Sequence, residues 1–524
     1  MTGRNRPGGH DGQDQVPVVV IGAGPTGVTA AILLAQNGIP VLVLERWPTV
    51  YPQPRAVHLD DEVHRILGWL GVADVFAQVS RPAMGLRLLD GDLNVLAEFR
   101  RGTAAGRHGF PQANMFEQPE LEGILRDRLA ACPQIALRGD SEVTGISQDG
   151  DGVTVTYTDL AAGDHASCRA RYVLGCDGAN SFVRTGIGAR MRDLRFEQRW
   201  LVVDAATDAD LRQWDGVHQV CDRRRAATYM RIGATRYRWE FQLLPGETSA
   251  DYQDPDKLLR LLAPWTGAVA ADELEPVRIA EYTFRAQIAD RWRDRRVFLL
   301  GDAAHLTPPF IGQGMGAGLR DAANLSWKLA AVLHGALPES ILDTYEAERR
   351  PHARIMILMA KAMGIAMTSG GEIGTLLRRV IAPHLNRVPG FSRFVLDSRT
   401  PALSRTALVA RPLWRRGLAG TLCPNAALTD GLRVDDIAAG RYTIVATTPP
   451  TPEQEHLIDR RGGCFVTAEP GTDLHGWLRR GRAAAVLVRP DGTVARTGRD
   501  LGQLCAALPD LNRTAFPVQP SSSL

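Results

Sequence analysis

A glycine-rich turn near the start of the chain constrains its fold more than any other feature. Val16 to Ile21 is a short valine-rich run, typical of a buried parallel strand, and Gly22-Ala-Gly-Pro-Thr-Gly27 follows it directly. A helical stretch from Val28 to Gln36 comes next, and a second apolar run, Val41 to Leu44, leads into Glu45. This order predicts a βαβ unit at the start of an α/β fold.

The spacing of the glycines, G-x-G-x-x-G, is the fingerprint of a dinucleotide-binding turn. Gly22, Gly24 and Gly27 let the backbone turn tightly and approach a pyrophosphate, which the helix N-terminus attracts. Glu45 stands at the position where a carboxylate accepts hydrogen bonds from the ribose hydroxyls. A glycine-rich connection in an unrelated α/β fold would not explain an acidic residue at this position. The fingerprint alone does not separate NAD from FAD.

A second motif in the middle of the chain favours FAD over NAD. Arg296 to Leu300 is another buried strand, and it runs into Gly301-Asp302-Ala-Ala-His305. A glycine-rich loop, Gly312-Gln-Gly-Met-Gly316, then opens a helix predicted over 319–333. Two helix N-termini that face a nucleotide suit one long, bent cofactor better than NAD alone.

Length and composition limit the classes of protein to which the chain can belong. The 524 residues suggest about three domains. A net charge of +3 gives no reason to expect nucleic acid as a partner. The seven cysteines form no C-x-x-C pair, so neither a metal site nor a disulfide scaffold is indicated, and reduced thiols favour a cytoplasmic location. No apolar run approaches the length of a membrane span, so no membrane partner is expected.

These motifs together resemble a known family. Gly22 to Gly27 with Glu45, then Cys176-Asp177-Gly178-Ala-Asn-Ser181, then Gly301-Asp302 with its glycine loop, are similar in order and spacing to the FAD-dependent aromatic hydroxylases of the p-hydroxybenzoate hydroxylase fold. The resemblance covers roughly residues 16–360. The stretch from Arg55 to Glu62 is similar, more narrowly, to the 3-(3-hydroxyphenyl)propionate hydroxylases, whereas the polyketide hydroxylases tend to carry Arg-Thr there.

The resemblance implies a set of FAD contacts. Arg55 is expected near the diphosphate and flavin, Gln118 near the ribityl or diphosphate region, and Asp302 on the ribityl chain. Asp177 belongs to a motif that the family ties to both FAD and NAD(P)H. Pro308 and the glycine loop would line the isoalloxazine. The expected cofactor-binding set is Gly22, Gly24, Gly27, Glu45, Arg46, Arg55, Gln118, Asp177, Asp302, Pro308, Gly312, Gln313, Gly314 and Met315.

One residue departs from the family pattern, and one histidine is ambiguous. Met315 stands where many relatives have asparagine, so backbone contacts to the flavin are expected but a side-chain contact is not. His305 is expected to pack beneath the flavin loop rather than to act in the reaction.

A different sequence pattern lies between the segments that resemble the FAD-binding domain. Residues 82–112 and 186–285 alternate apolar and polar side chains, as at Val217-His-Gln-Val-Cys221 and Thr228-Tyr-Met-Arg-Ile232. This period of two predicts an antiparallel sheet with one covered face, which would form the lid of a substrate pocket. His218 and Tyr229 are the predicted catalytic residues, and Arg238 and Glu240 are further polar candidates.

The predicted fold is therefore α/β. A Rossmann-like FAD-binding domain is interrupted by an antiparallel β-sheet substrate domain and followed by a thioredoxin-like C-terminal domain. Without C-x-x-C, the last domain is expected to serve packing or dimer contact, and a homodimer is one assembly it permits. The boundaries are 1–15 disordered, 16–81, 113–185 and 286–367 FAD-binding, 82–112 and 186–285 substrate-binding, 368–420 linker, 421–515 thioredoxin-like and 516–524 tail.

The reaction implied is that of a single-component flavin monooxygenase. NAD(P)H would reduce FAD, O₂ would form a C4a-hydroperoxide, and an electron-rich ring of a phenolic aromatic acid would be hydroxylated. Four alternatives stay open: an antibiotic-tailoring hydroxylase, a Baeyer–Villiger oxygenase, a non-catalytic FAD-binding protein, and an NAD-dependent dehydrogenase, which the second glycine loop opposes.

Overall fold

The computed structural model describes residues 15–50, 56–222, 224–267, 269–368, 400–411, 417–429 and 431–511. Almost all of the predicted disordered start, most of the predicted linker and the whole predicted tail lie outside these residues. The described strands, β1 to β23, are Gln15–Ile21, Val41–Leu44, His58–Asp60, Arg81–Pro82, Gly85–Leu89, Val95–Arg100, Ala113–Met115, Ile135–Arg138, Ser141–Gln148, Val153–Asp159, His165–Gly175, Met191–Ala206, Val217–Val220, Ala227–Arg231, Arg236–Gln242, Glu275–Ala289, Arg293–Asp294, Val297–Leu299, His305–Leu306, Thr443–Ala446, Cys464–Thr467, Ala485–Val488 and Val494–Gly498.

The described α-helices are numbered α1 to α12, and the last of them follows β23. They are Pro25–Gln36, Asp61–Trp69, Ala73–Val79, Gln118–Ala130, Phe182–Gly186, Pro255–Thr266, Gly314–Leu333, Asp343–Thr368, Val434–Ala438, Pro452–Arg460, Asp473–Arg480 and Leu501–Ala506. None of them is long and apolar enough to cross a membrane.

The first sheet is the Rossmann-like core. Its strand order is β17-β18-β11-β1-β2-β8, and β1 pairs in parallel with both β2 and β11. Val18, Val19 and Val20 of β1 have no exposed surface, as is typical of a central strand in a parallel sheet that is buried on both faces. Helix α1 packs against α7 and α4, which brings the two glycine-rich turns to the same end of the sheet.

The second sheet interrupts this core and has the order β19-β16-β12-β15-β14-β13-β5-β6. The predicted β-sheet unit is confirmed, with two corrections. Strand β13 pairs in parallel with β5, at Val217 with Leu86 and Gln219 with Leu88, so the sheet is mixed. Residues 186–285 also contain helix α6, which the alternating pattern did not predict.

Helix α6 covers one face of the second sheet. Its buried residues Leu258, Leu262 and Trp265 join a core cluster with Tyr229, Trp239 and other side chains from alternate positions of the strands. The opposite face of the sheet points toward the first sheet and, as described below, borders a cavity.

The C-terminal part forms a separate four-stranded sheet. Its order is β21-β20-β22-β23, with β20 parallel to β21 and antiparallel to β22, and with α10 between β20 and β21. The α/β class and the interrupted Rossmann-like architecture are confirmed, whereas the thioredoxin-like assignment of this unit and the domain boundaries stay predictions. A small sheet, β3-β7-β4, completes the described strands.

Candidate active site

The first glycine turn has no room for side chains at two positions and is open at a third. Gly22 has φ +97°, and a Cβ there would lie 2.5 Å from the carbonyl oxygen of Cys176. A Cβ on Gly27 would lie 2.0 Å from the carbonyl oxygen of Gly22. Gly24 has no heavy atom within 4 Å of its Cβ position. The turn is therefore tight yet leaves its backbone open to close approach by a ligand.

The N-terminus of α1 is built for an anion. Gly24 is the N-cap residue and offers no side chain to the free amides of the first turn. Glu45, at the end of β2, accepts a hydrogen bond from the Ala23 amide at 2.6 Å and one from the Trp47 amide at 3.0 Å. Glu45 is therefore held beside the turn, as the fingerprint predicts.

Of the two basic residues predicted to contact the cofactor at this end, the structure describes only Arg46. Arg46 is exposed and its guanidinium lies over the Trp47 ring, 4.9 Å from the centroid, away from the cavity lining. Arg55 lies outside the described residues. Gln118, at the start of α4, is buried on the lining; its Oε1 accepts from the Ala56 amide at 2.6 Å and its Nε2 donates to Glu122 at 2.6 Å.

Asp177 shapes the chain rather than facing the cavity. Its carboxylate accepts hydrogen bonds from the Ser181 hydroxyl at 2.6 Å and the Val183 amide at 3.0 Å, where short helix α5 begins. Burial raises the pKa of Asp177, and these hydrogen bonds oppose that effect. Its neighbours Cys176 and Gly178 lie on the cavity lining, although Asp177 itself does not.

The Gly301-Asp302 turn lies on a buried ionic support. Asp302 is on the cavity lining, and Gly301 has φ +60°. Beneath it, Asp321 accepts from the Gly301 amide at 3.1 Å, lies 2.8 Å from His305 Nε2, and accepts from Arg349 Nε at 2.8 Å. His305 and Asp321 have no exposed surface. His305 therefore packs below the turn, as expected.

The second glycine loop, residues 308–316, is tied to the rest of the molecule through Gln313. Its Nε2 donates to Asp60 at 2.8 Å, and its Oε1 accepts from Arg320 at 2.9 Å. Gly312 has φ +62°, and a Cβ there would lie 2.5 Å from His58 Nδ1. The Gln313 side chain therefore anchors the loop beside the cavity. Pro308 is not on the lining, but Gly312, Gln313, Gly314 and Met315 are.

One cavity of about 480 Å³ connects these elements, a volume typical of a small-molecule site. At one end it is lined by Gly24, Pro25 and Thr26 of the first glycine turn. Asp302 and the 308–316 loop border its middle. The inner face of the second sheet closes the other end, with Val202, Val217, Gln219, Thr228, Met230, Arg238, Glu240, Arg278 and Phe284 among the lining residues.

The predicted catalytic residues His218 and Tyr229 do not reach this cavity. Their strand neighbours Val217, Gln219, Thr228 and Met230 line it, and successive side chains on a strand point to opposite faces. Tyr229 packs on Trp265 of α6 with ring centroids 6.3 Å apart, and His218 lies 5.0 Å from Tyr229. The structure therefore speaks against a catalytic role for either residue.

A match to a family model spans most of this architecture. Residues 15–360 match the family described as FAD binding domain, which includes the first sheet, the second sheet and both glycine loops. The chain belongs to this FAD-binding family.

Relatives narrow the family to hydroxylases, and a solved structure shares the fold. The chain is 35% identical to a probable NADH-specific resorcinol 4-hydroxylase of Rhodococcus jostii (strain RHA1), over 97% of this chain and 96% of that protein. It is 34% identical to a 3-(3-hydroxy-phenyl)propionate/3-hydroxycinnamic acid hydroxylase of Burkholderia vietnamiensis, over 83% and 80%. The aklavinone-11 hydroxylase complex with FAD and aklavinone shares the fold at TM-score 0.78 and 24% identity, over 95% of this chain and 98% of that one.

The residues of this chain fit FAD, its family cofactor. The open backbone at Gly24 and the uncapped start of α1 suit a diphosphate, and Glu45 is held beside them. Asp302 and the backbone of the 308–316 loop border the same cavity further along. NAD bound at the first turn would not need the second loop, which agrees with the long, bent cofactor that the sequence predicts.

The substrate end of the cavity carries a pattern of charge. Arg238 pairs with Asp204 through two hydrogen bonds of 2.6 and 2.9 Å, and both side chains are buried. Glu240 is on the lining, where burial raises its pKa against the opposing charge of Arg238. Burial and the charge of Arg101 lower the pKa of His58 to about 4, so His58 is neutral at pH 7.

Sequence reasoning missed several lining residues. Gln219, His58 and Arg278 received no role, because the alternation along each strand does not say which face meets the cavity. Helix α6 could have shown which face borders the cavity. Its apolar side chains at positions 258, 262 and 265 pack on one face of the sheet, so the cavity must lie on the other face.

Proposed function

We propose that this FAD-dependent aromatic hydroxylase acts on a monocyclic phenol that bears a short acid side chain. The overall change would be phenol plus O₂, NAD(P)H and a proton, giving a catechol, water and NAD(P)⁺. One observation carries the proposal: a single cavity joins the cofactor turns to the inner face of the second sheet. When bound, FAD supplies the oxygen-activating chemistry, and the chain orients the reactants and excludes water.

The cofactor end would be held by backbone groups and a few fixed carboxylates. We assign the diphosphate to Gly22, Gly24, Gly27 and the start of α1, a ribose to Glu45, and the ribityl chain to Asp302. Gln118 lies on the lining within reach of the same region. The amides of the 308–316 loop would favour negative charge on the reduced ring. Asp177 would act through the shape of its turn.

The charge of the lining supports an acidic substrate. Arg101, Arg238 and Arg278 line the cavity toward the second sheet, and among the described residues this sheet places one acidic residue there, Glu240. A lining with more guanidinium groups than carboxylates suits a substrate that carries a carboxylate. The Burkholderia relative, named for a hydroxyphenylpropionate, is consistent with such a substrate.

A neutral dihydroxybenzene is the second candidate. The Rhodococcus relative is named for resorcinol, and its similarity extends over 97% of this chain. A smaller, uncharged ring would make no use of the basic character of the lining, so we rank it below the phenolic acid.

The test is a panel of phenols offered to the FAD-loaded enzyme with NADH and with NADPH. We expect 3-(3-hydroxyphenyl)propionate to accelerate NAD(P)H oxidation and to yield a product that is one oxygen atom heavier by mass spectrometry. A greater response to resorcinol would favour the second candidate. NAD(P)H oxidation that no phenol changes, with hydrogen peroxide as the sole product, would exclude both.

A further inference from the structure

Gln219 carries a buried polar atom that lacks a partner. This residue of β13 is only 4% exposed, and its side chain lies on the cavity lining. Its Nε2 donates to the carbonyl oxygen of Phe310 at 3.0 Å. Its Oε1 is fully buried and has no hydrogen-bond partner among the described residues.

The orientation of this amide is fixed by chemistry. The Phe310 carbonyl can only accept a hydrogen bond, so the NH₂ group of Gln219 must face it and the oxygen must point elsewhere. An unpaired buried acceptor is costly, and native proteins rarely leave one. The site therefore calls for a hydrogen-bond donor that arrives with a ligand.

The position of Gln219 says where that donor sits. Phe310 belongs to the 308–316 loop, so the hydrogen bond joins the second sheet directly to the loop expected beside the flavin ring. Apolar side chains surround it on the lining, including Val217, Met230 and Phe310 itself. An aromatic ring fits between such groups, with its hydroxyl directed at Gln219 Oε1.

We propose that Gln219 Oε1 accepts a hydrogen bond from the hydroxyl of the phenolic substrate. Gln219 is then a specificity-determining residue, which selects rings that bear a hydroxyl and orients them relative to the 308–316 loop. This rests on the proposed function, since it assumes a phenol in the cavity. A site built to accept a hydroxyl rejects the analogue without it, because the acceptor then stays unpaired.

The experiment compares two ligands that differ only in the hydroxyl. The Kd values of 3-(3-hydroxyphenyl)propionate and 3-phenylpropionate are measured from changes in the absorbance of bound FAD. We expect the wild-type enzyme to favour the phenol by about tenfold or more, as a buried hydrogen bond allows. In Gln219→Met the ratio should fall to near one, with FAD content unchanged.

Gln213 offers a matched control. Its Nε2 donates to the Trp265 carbonyl, also at 3.0 Å, but it does not line the cavity. Gln213→Met should keep the wild-type ratio. If Gln219→Met fails to retain FAD, Gln219→Asn keeps the amide but shortens its reach, and the ratio should again fall.

Three results would overturn the proposal or its basis. A full wild-type preference in Gln219→Met would remove Gln219 from substrate recognition while leaving phenol hydroxylation intact. A loss of preference in Glu240→Gln but not in Gln219→Met would assign the hydroxyl to Glu240. If the wild-type enzyme binds neither this pair nor resorcinol and phenol, the proposed function fails first, and this inference fails with it.

Discussion

Asp60 and Asp61 are neighbours in the chain but have opposite electrostatic surroundings. Burial alone would raise the pKa of Asp60, but the charge of Arg320 and hydrogen bonds from Val63 and Gln313 hold it below its usual value. For Asp61, burial and then the charges of Asp60 and Glu62 raise the pKa to about 8. Neither oxygen of Asp61 has a hydrogen-bond partner among the described residues, and its side chain is 1% exposed.

Asp61→Asn should therefore stabilise the protein in a pH-dependent way. Because the pKa of Asp61 is raised on folding, the folded state keeps a proton between pH 4 and pH 8 that the unfolded state releases. Asp61 therefore destabilises the folded state increasingly as the pH rises through that range. We expect a gain of several kcal/mol, about 5 kcal/mol at most, near pH 8, which shrinks toward zero near pH 4. Thermal unfolding at several pH values measures it.

The exposed Asp74→Asn serves as the control, with a small effect that does not change with pH in this way. A stabilisation by Asp61→Asn that is equal at pH 5 and pH 8 would contradict the assigned charge state. The opposite pKa shifts of Asp60 and Asp61 were not predictable from the sequence, because Asp60 pairs with Arg320, which lies 260 residues further along the chain.

Helices α1 and α7 meet at a contact that requires glycine. Thr26, at the start of α1, contacts both Gly301 and Gly318, and Gly318 belongs to α7. A Cβ on Gly318 would lie 2.2 Å from Thr26 Oγ1 and 3.2 Å from the Gly301 Cα. This contact brings the first glycine turn and the Gly301-Asp302 turn together. The two motifs were predictable from sequence, but their contact was not, since nothing local marks Gly318.

Gly318→Ala should destabilise the protein although alanine is the better helix former. The collision at Thr26 is expected to cost about 1–3 kcal/mol, more than the helix propensity returns, and to weaken FAD retention. Thermal unfolding and the flavin content of the purified variant measure both effects.

Gly123 in α4 is the matched control, because no heavy atom lies within 4 Å of its Cβ position. Gly123→Ala should stabilise by about 0.5–1 kcal/mol. If both substitutions stabilise equally, the tight contact between α1 and α7 is wrong.

The second sheet shows which part of an element the sequence determines. The alternation at Val217 to Val220 and at Ala227 to Arg231 predicted strands, and both are present. Period two also predicts that Gln219 and His218 point to opposite faces. Which face borders the cavity depends on where α6 packs, so His218 and Tyr229 were assigned to the wrong face.

The C-terminal unit is joined to the FAD-binding part by buried charges. Glu348 of α8 accepts from Lys328 at 2.8 Å and from Arg489 at 2.9 Å, and Arg489 also pairs with Asp491. Lys328, Glu348 and Arg489 have side chains with no exposed surface. Lys328 lies in α7, the helix that the 308–316 loop opens, so the C-terminal unit contacts the framework of the cofactor site.

Arg489→Met should destabilise the whole protein. It leaves Glu348 and Asp491 buried with one cation fewer, and a broken buried pair costs about 3–5 kcal/mol. We expect a lower midpoint of denaturant unfolding, with the C-terminal unit separating from the rest before the flavin is lost.

The exposed Arg496 of β23 provides the control, and Arg496→Met should leave the midpoint nearly unchanged. Equal midpoints for the two variants would show that the buried network does not hold the C-terminal unit in place. The sequence predicted this unit as separate strands and turns, but buried partners 141 residues apart leave no local pattern.

The most direct test of phenol hydroxylation follows the oxygen atom. The FAD-loaded enzyme is given NAD(P)H, 3-(3-hydroxyphenyl)propionate and isotopically labelled dioxygen, and the product is analysed by mass spectrometry. We expect a catechol that carries one labelled oxygen atom on the ring. A product without label, or a labelled ester or lactone in place of a catechol, would contradict it.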